Sequence, residues 1–162
     1  MTNTDDERVL QNSGDDLRTI LVAVDASAGA TRVISAAARL SRISSEPALH
    51  VAHVFRASRL DHARAGAPHA DSGIIEEAKE HLEAYVRSAR AQTRAQITGH
   101  FLVGDPTTEI LRLAGALRAD VLVVGTHDHV GLERLILGSI AETLVRKAAC
   151  SVLVVRPKAS AA

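Results

Sequence analysis

The chain has 162 residues, enough for one domain and too few for two of ordinary size. It is 46% hydrophobic but only 2% aromatic, so a core must be assembled from Ala, Val, Leu and Ile. Nineteen basic and nineteen acidic side chains cancel to a formal charge of zero, which argues against a nucleic-acid partner, since such binders carry a basic face.

One cysteine, Cys150, excludes an intrachain disulfide framework and fits a reducing compartment. Residues 1–17 carry Asp5, Asp6, Glu7, Asp15 and Asp16 with no apolar run. They read as a disordered acidic tail rather than a signal peptide, which needs a basic start and an apolar core. No apolar stretch approaches the roughly 20 residues that span a bilayer. The expectation is a cytoplasmic protein without a membrane segment, with one domain over residues 18–157 and a short tail at 158–162.

In chain order, Thr19-Ile-Leu-Val-Ala-Val24 is a short apolar run ending at Asp25, the pattern of a strand buried on both faces. Ser27 is placed to cap a helix whose stripe is Ala30, Ile34, Ala37 and Leu40. Ala48 to Phe55 is a second strand. Residues 57–71, with Gly66, Pro68 and Asp71, read as a loop, and Ser72 to about Gln96 as a long helix with Ile74, Ala78, Leu82, Val86 and Ala89 on one face. Phe101-Leu-Val103 closes a short third strand. Asp105-Pro106 opens a helix, with Asp as N-cap, Pro in the first turn and Glu109 near the positive end. Residues 121–124 and 152–155 are the fourth and fifth strands, with a helix opening at Ser139 between them.

Strand and helix alternate throughout, and parallel strands need crossover helices of fixed hand. The reading is an α/β fold: a doubly wound, five-stranded parallel sheet with helices on both faces. Ligands of such sheets bind beyond the carboxyl ends of the strands, where the winding reverses. Three segments end there with informative residues: Val24-Asp25, His53-Val54, and the stretch from Gly125 to Ser139. A glycine directly after a strand admits close backbone approach, and Gly-Ser at a helix start offers N–H groups to an anion. Ser139 and Glu142 also fit a capping box, which would explain that pair without a ligand.

Gly125, Gly138 and Ser139 fall on the spacing Gly-x2-Gly-x9-Gly-(Ser/Thr). With the flanks Leu135-Ile-Leu-Gly-Ser-Ile-Ala-Glu142 and Cys150-Ser-Val-Leu-Val-Val155, and with Ile20-Leu-Val-Ala-Val-Asp-Ala-Ser27 at the start, the chain resembles the universal stress proteins of the UspA-like, nucleotide-binding type over residues 18–157. The resemblance implies a stress-response regulator holding an adenine nucleotide, ATP, with or without Mg²⁺. It implies Asp25 beside the nucleoside and the backbone of Val54 against adenine. Gly125, Gly138 and Ser139, with the adjoining Thr126 and Ile140, would hold ribose and phosphates. With the alternation, it further implies the strand order 3-2-1-4-5, which puts strand 152–155 at a sheet edge, and a homodimer through that strand, where an apolar edge carries no charge before Arg156.

One position departs from the pattern: Asp128 stands where the motif has its second glycine. A carboxylate about 4 Å from a phosphate charge, at an effective dielectric near 20, costs on the order of 4 kcal/mol per charge pair. Bound Mg²⁺, or protonated His127 or His129, would reduce that cost. Two function classes follow. One is a nucleotide-binding regulator; the other is a nucleotide-independent dimeric stress protein acting through protein–protein contacts.

Other constellations carry less. His127-Asp128-His129 and the nearby His50 and His53 offer possible metal ligands, but residues three apart in a strand point to opposite faces, and HExxH or paired CxxC spacing is absent. Cys150, at the start of an apolar strand, reads as a small hydrophobe. No P-loop, nucleophile elbow or nicotinamide fingerprint occurs, so the expectation is a protein without catalytic residues or a metal site, not an enzyme.

Overall fold

The computed structural model describes residues 17–56, 70–126 and 138–156. Five strands run β1 (Thr19–Val24), β2 (Ala48–Phe55), β3 (Gln96–Val103), β4 (Val121–Gly125) and β5 (Ser151–Val155). Between them lie α1 (Ala30–Leu40), α2 (Ala70–Arg90), α3 (Pro106–Leu117) and α4 (Ser139–Lys147). All pairings are parallel and the order is β3-β2-β1-β4-β5, as the alternation and the resemblance together imply.

Period-two alternation divides the core into two layers. Ile20, Val22, Leu49, Val51, Val121 and Val123 point to α1 and α2, where Val33, Ile34, Ala37, Leu82 and Ala89 meet them. Leu21, Ala52, Leu122 and Val124 point the other way, to Ile110 and Leu113 of α3 and Ala141 and Leu144 of α4. Helices therefore cover both faces. The central strands β1 and β4 are buried on both sides, which is why they read as continuous apolar runs.

Three local expectations are corrected. The long helix stops at Arg90, not near Gln96, and β3 is a full eight residues. Gln92-Thr-Arg-Ala-Gln96 contains no helix breaker; the stop is tertiary. Thr93 Oγ1 pairs with the buried Ser41 Oγ at 2.7 Å, and the Gln96 N–H donates to Pro47 O at 3.0 Å, starting the ladder to β2. The same helix begins at Ala70, so the loop reading of 57–71 overran by two residues; the rest of that segment lies outside the described residues, as do residues 1–16, 127–137 and 157–162.

Ser27 does not cap α1. Gly29 holds the N-cap position without a side-chain bond, and Ser27 turns back to Asp25. The Ser139–Glu142 capping box does not form either. Gly138 is the N-cap, its carbonyl accepts from the Glu142 N–H at 2.9 Å, and the Glu142 carboxylate pairs with Arg146. Asp105 does cap α3 as expected: its Oδ1 accepts from the Thr108 N–H at 2.9 Å, and Pro106 follows in the first turn.

Candidate functional site

β1 and β4 are neighbours whose chains leave in opposite directions, β1 into α1 on one face and β4 toward α4 on the other. A cleft opens at their carboxyl ends, the location expected for a doubly wound sheet. Its walls include Asp25, Arg32, Val33, Gly125, Thr126 and Ile140, and it encloses about 90 Å³. Ile110 and Leu144 form its apolar floor from α3 and α4.

Asp25 leaves β1 and closes a tight turn on itself. Its Oδ1 accepts from the Ser27 N–H at 3.1 Å and from the Ser27 hydroxyl. Such local bonds are the usual reason Asp favours chain reversals. Two distant groups hold the backbone here. Tyr85 of α2 donates its hydroxyl to Asp25 O at 3.1 Å, and His53 of β2, 7% exposed, donates through Nδ1 to Val24 O at 3.1 Å. Burial, and then the nearby Asp25 carboxylate, push the Tyr85 phenol above its ordinary range, so it remains a proton donor at neutral pH.

Gly125 ends β4 directly under α1. A Cβ there would lie 3.0 Å from Val33 Cγ2, so glycine lets α1 settle on the strand. Thr126 follows, its N–H extending the ladder to Val155 O at 3.1 Å. Its hydroxyl is buried and has no hydrogen-bond partner among the described residues. Buried hydroxyls are nearly always partnered, so an orphan at the mouth of a cleft marks a place for another group. Beside it, α4 starts at Ser139. The N–H groups of Ser139, Ile140 and Ala141, in its first turn, have no intrahelical acceptor and sit at the positive end of the helix.

Of the seven residues expected from the sequence, Asp25, Gly125, Thr126 and Ile140 line one cleft, and Gly138 and Ser139 adjoin it at the start of α4. Val54 does not line it. Register places Val54 just beyond the level of Val24, with its half-buried side chain packed on the α3–α4 layer. Asp128, His127 and His129 lie outside the described residues. His50 and His53 do face opposite sides: His53 meets Val24 as above, while His50 Nδ1 meets His100 Nε2 of β3 at 2.9 Å. Among the described residues no group of three potential ligands is assembled for a metal ion. Cys150 is half-buried against the α3–α4 layer, and burial pushes its thiol up, away from the reactive thiolate.

The sequence reading missed Arg32 and Tyr85. Arg32 stands in the first turn of α1, the end of a helix that disfavours cations, and that misplacement is the signal it offered. Tyr85 offered none, because its contact spans 60 residues of sequence.

A family model for the universal stress proteins matches residues 16–156. This chain belongs to the universal stress protein family. Universal stress protein A homolog 1 of Coxiella burnetii is 33% identical over 140 residues, which are 84% of this chain and 94% of that protein. Universal stress protein MJ0531 of Methanocaldococcus jannaschii is 40% identical over 83 residues, 51% of this chain and about half (48%) of that relative's length. Among solved structures, the universal stress protein of Archaeoglobus fulgidus in complex with dAMP superposes with a TM-score of 0.63 at 28% identity, covering 85% of this chain and 96% of that one. Among the described residues, no helix is long and apolar enough to cross a membrane.

Proposed function

We propose that this chain is a stress-response regulator that binds an adenine nucleotide, ATP, at the carboxyl ends of β1 and β4, and that it acts in the cytoplasm through its ligand state rather than by catalysis. The observation that carries the reading is the orphaned Thr126 hydroxyl, buried beside Gly125 and next to the open N–H groups of α4. That combination is a donor set for the oxygens of ribose and phosphate. The cleft's 90 Å³ is smaller than the 300–1,000 Å³ of an ordinary ligand site, so it would seat one part of the nucleotide while the phosphates extend over α4. Asp25 would accept from ribose hydroxyls, Arg32 would offset phosphate charge, and Val54 would offer its backbone to adenine. The dAMP complex of the Archaeoglobus fulgidus relative supports an adenine nucleotide as the ligand class.

A homodimer through β5 is part of the same proposal. β5 is a sheet edge, and Leu153 on it is 39% exposed. The second reading, a nucleotide-independent dimer acting through its surface, draws on Asp128 in the glycine position of the motif.

Equilibrium titration with ATP, ADP and AMP, each with and without Mg²⁺, separates the two. Saturable binding of one nucleotide per chain, lost when Ser139 and Thr126 are both replaced, supports the first. Heat and fluorescence traces indistinguishable from buffer at millimolar nucleotide would leave the second.

A further inference from the structure

The opposite end of the sheet carries a second concavity, where the turn after α1 meets the turn between α2 and β3. It encloses about 620 Å³, a volume typical of small-molecule sites. Arg42, Arg90 and Arg94 line it together with Ser41, Ser44 and Thr93, and among the described residues no carboxylate does; Glu46, the acidic residue of this segment, is exposed and outside the lining.

The ordinary reason for arginines here is that α1 and α2 both end nearby, and cations complement the carbonyl ends of helices. That accounts for one contact, Arg42 Nη2 to Gln92 O at 3.4 Å. The remaining guanidinium donors have no ion pair among the described residues, in contrast to Arg87, Arg112 and Arg146, each of which has a glutamate on its own helix. A second, independent feature points the same way. The Ser44 hydroxyl is buried and has no partner among the described residues, whereas its neighbour Ser41 is fully satisfied by Ala38 O at 2.9 Å and Thr93 Oγ1 at 2.7 Å. Three guanidiniums without an ion pair among the described residues, around a polar groove, make a fork set for a multiply charged oxyanion, because a guanidinium can present two parallel N–H donors to phosphate oxygens.

We infer that this groove is an anion site for a di- or polyphosphate group, separate from the nucleotide cleft at the other end of β1. The anion would bridge Arg42, on the turn after α1, to Arg90 and Arg94, on the turn before β3, and so link the two segments that close this end of the sheet.

Titration of the ¹⁵N-labelled full chain with inorganic pyrophosphate in phosphate-free buffer tests the site. Backbone shifts are expected at residues 41–45 and 90–95, saturating together. A triple Arg42→Gln, Arg90→Gln, Arg94→Gln variant is expected to weaken binding at least tenfold, and Ser44→Ala to weaken it severalfold. Arg87→Gln with Arg146→Gln should leave it unchanged. All these side chains except Ser44 are exposed, so folding is preserved, and thermal melts verify it. Shifts confined to Asp25, Thr126 and residues 138–140 would overturn the inference by assigning pyrophosphate to the cleft. Equal weakening by the Arg87/Arg146 pair would overturn it as bulk charge. Tighter binding of a glutamate-rich peptide than of pyrophosphate would overturn it in favour of an acidic protein segment.

Discussion

Tyr85 donates its hydroxyl to the main-chain carbonyl of Asp25 at 3.1 Å, tying the middle of α2 to the exit of β1. The bond shares the turn with the Ser27–Asp25 bonds and with His53 on Val24, so the carboxylate of Asp25 is held before any ligand arrives. A net hydrogen bond of this kind contributes about 0.5–1.5 kcal/mol. Tyr85→Phe keeps the ring and removes only the hydroxyl. Nucleotide affinity measured by calorimetry should fall about three- to tenfold while the melting temperature moves little. An unchanged dissociation constant would show that the turn is held without α2.

Thr126→Val separates a ligand-binding hydroxyl from a structural one. Valine has the same shape and no polar atom. A buried, unpartnered hydroxyl costs about 1–3 kcal/mol, so its removal should raise the melting temperature of the free protein. The same change should weaken nucleotide binding, because the ligand loses its donor. Destabilisation of the free protein would instead mean that Thr126 has a partner in the fold, and the proposed donor set would lose its centre.

Asp128→Gly restores the motif glycine. With a like charge removed and close backbone approach allowed, ATP should bind more tightly, and the gain should shrink from ATP to AMP as phosphates are removed. Equal gains for all three nucleotides would trace the effect to backbone freedom alone.

Strands that are continuous apolar runs were legible in the sequence, including the edge strand Ser151–Val155, which is apolar from Val152 onward although it is only partly buried. Thr19–Val24 and Val121–Gly125 carry apolar residues at nearly every position, because each face meets a helix layer. β3, the other edge strand, was half hidden because its first half is polar. Gln96 and Thr98 are exposed, and only Ile97 and Phe101 pack on the α1–α2 layer, so its first half looks like the polar end of a helix. Gly99 gave no warning of the close approach that needs it, where a Cβ would lie 2.9 Å from Val86 Cγ2. At the site, Asp25 and Gly125 were legible because strand ends in this topology converge. Ser139 was ambiguous because a capping box and an anion site use the same residues, and only the position of Gly138 as N-cap separates them. Tyr85, reaching Asp25 across 60 residues, belongs to tertiary structure alone.

The His50–His100 pair predicts an acid-sensitive stability. Burial holds both imidazoles below their ordinary range, and each ring's charge would repel the other's. Their 2.9 Å contact also needs at least one neutral ring. For a base whose folded pKa is depressed, the unfolded chain takes up protons first. Stability therefore holds above the unfolded value, about 6.5, and declines as pH falls below it until the folded rings also protonate. Melting temperature should be level from pH 8 to 7 and fall from about 6.5 downward. His50→Gln with His100→Gln should flatten that slope relative to wild type. An identical slope in the double variant would assign the acid sensitivity to other groups.

The edge strand sets the last test. β5 pairs with β4 on one side only, so its outer backbone groups have no ladder among the described residues. An apolar open edge invites pairing, and a two-fold partner adding its own β5 closes it. The side chains divide by face. Val152 and Val154 pack inward on the α3–α4 layer, whereas Leu153 faces away from it and is 39% exposed. A charge at Val154 would therefore damage the protomer core as well as any interface, and Leu153 is the informative position. Fully burying a leucine contributes roughly 1.5–3 kcal/mol, and a two-fold interface would bury the exposed part of two. Sedimentation of the wild type at micromolar concentration should give twice the chain mass. Leu153→Lys should shift the equilibrium toward the single chain with an unchanged melting profile at low concentration. Ile43→Lys, at a more exposed apolar residue on the opposite end of the sheet, should leave the dimer intact. A wild-type single chain would end the dimer proposal, and a Leu153→Lys protein as dimeric as wild type would move the interface away from this strand.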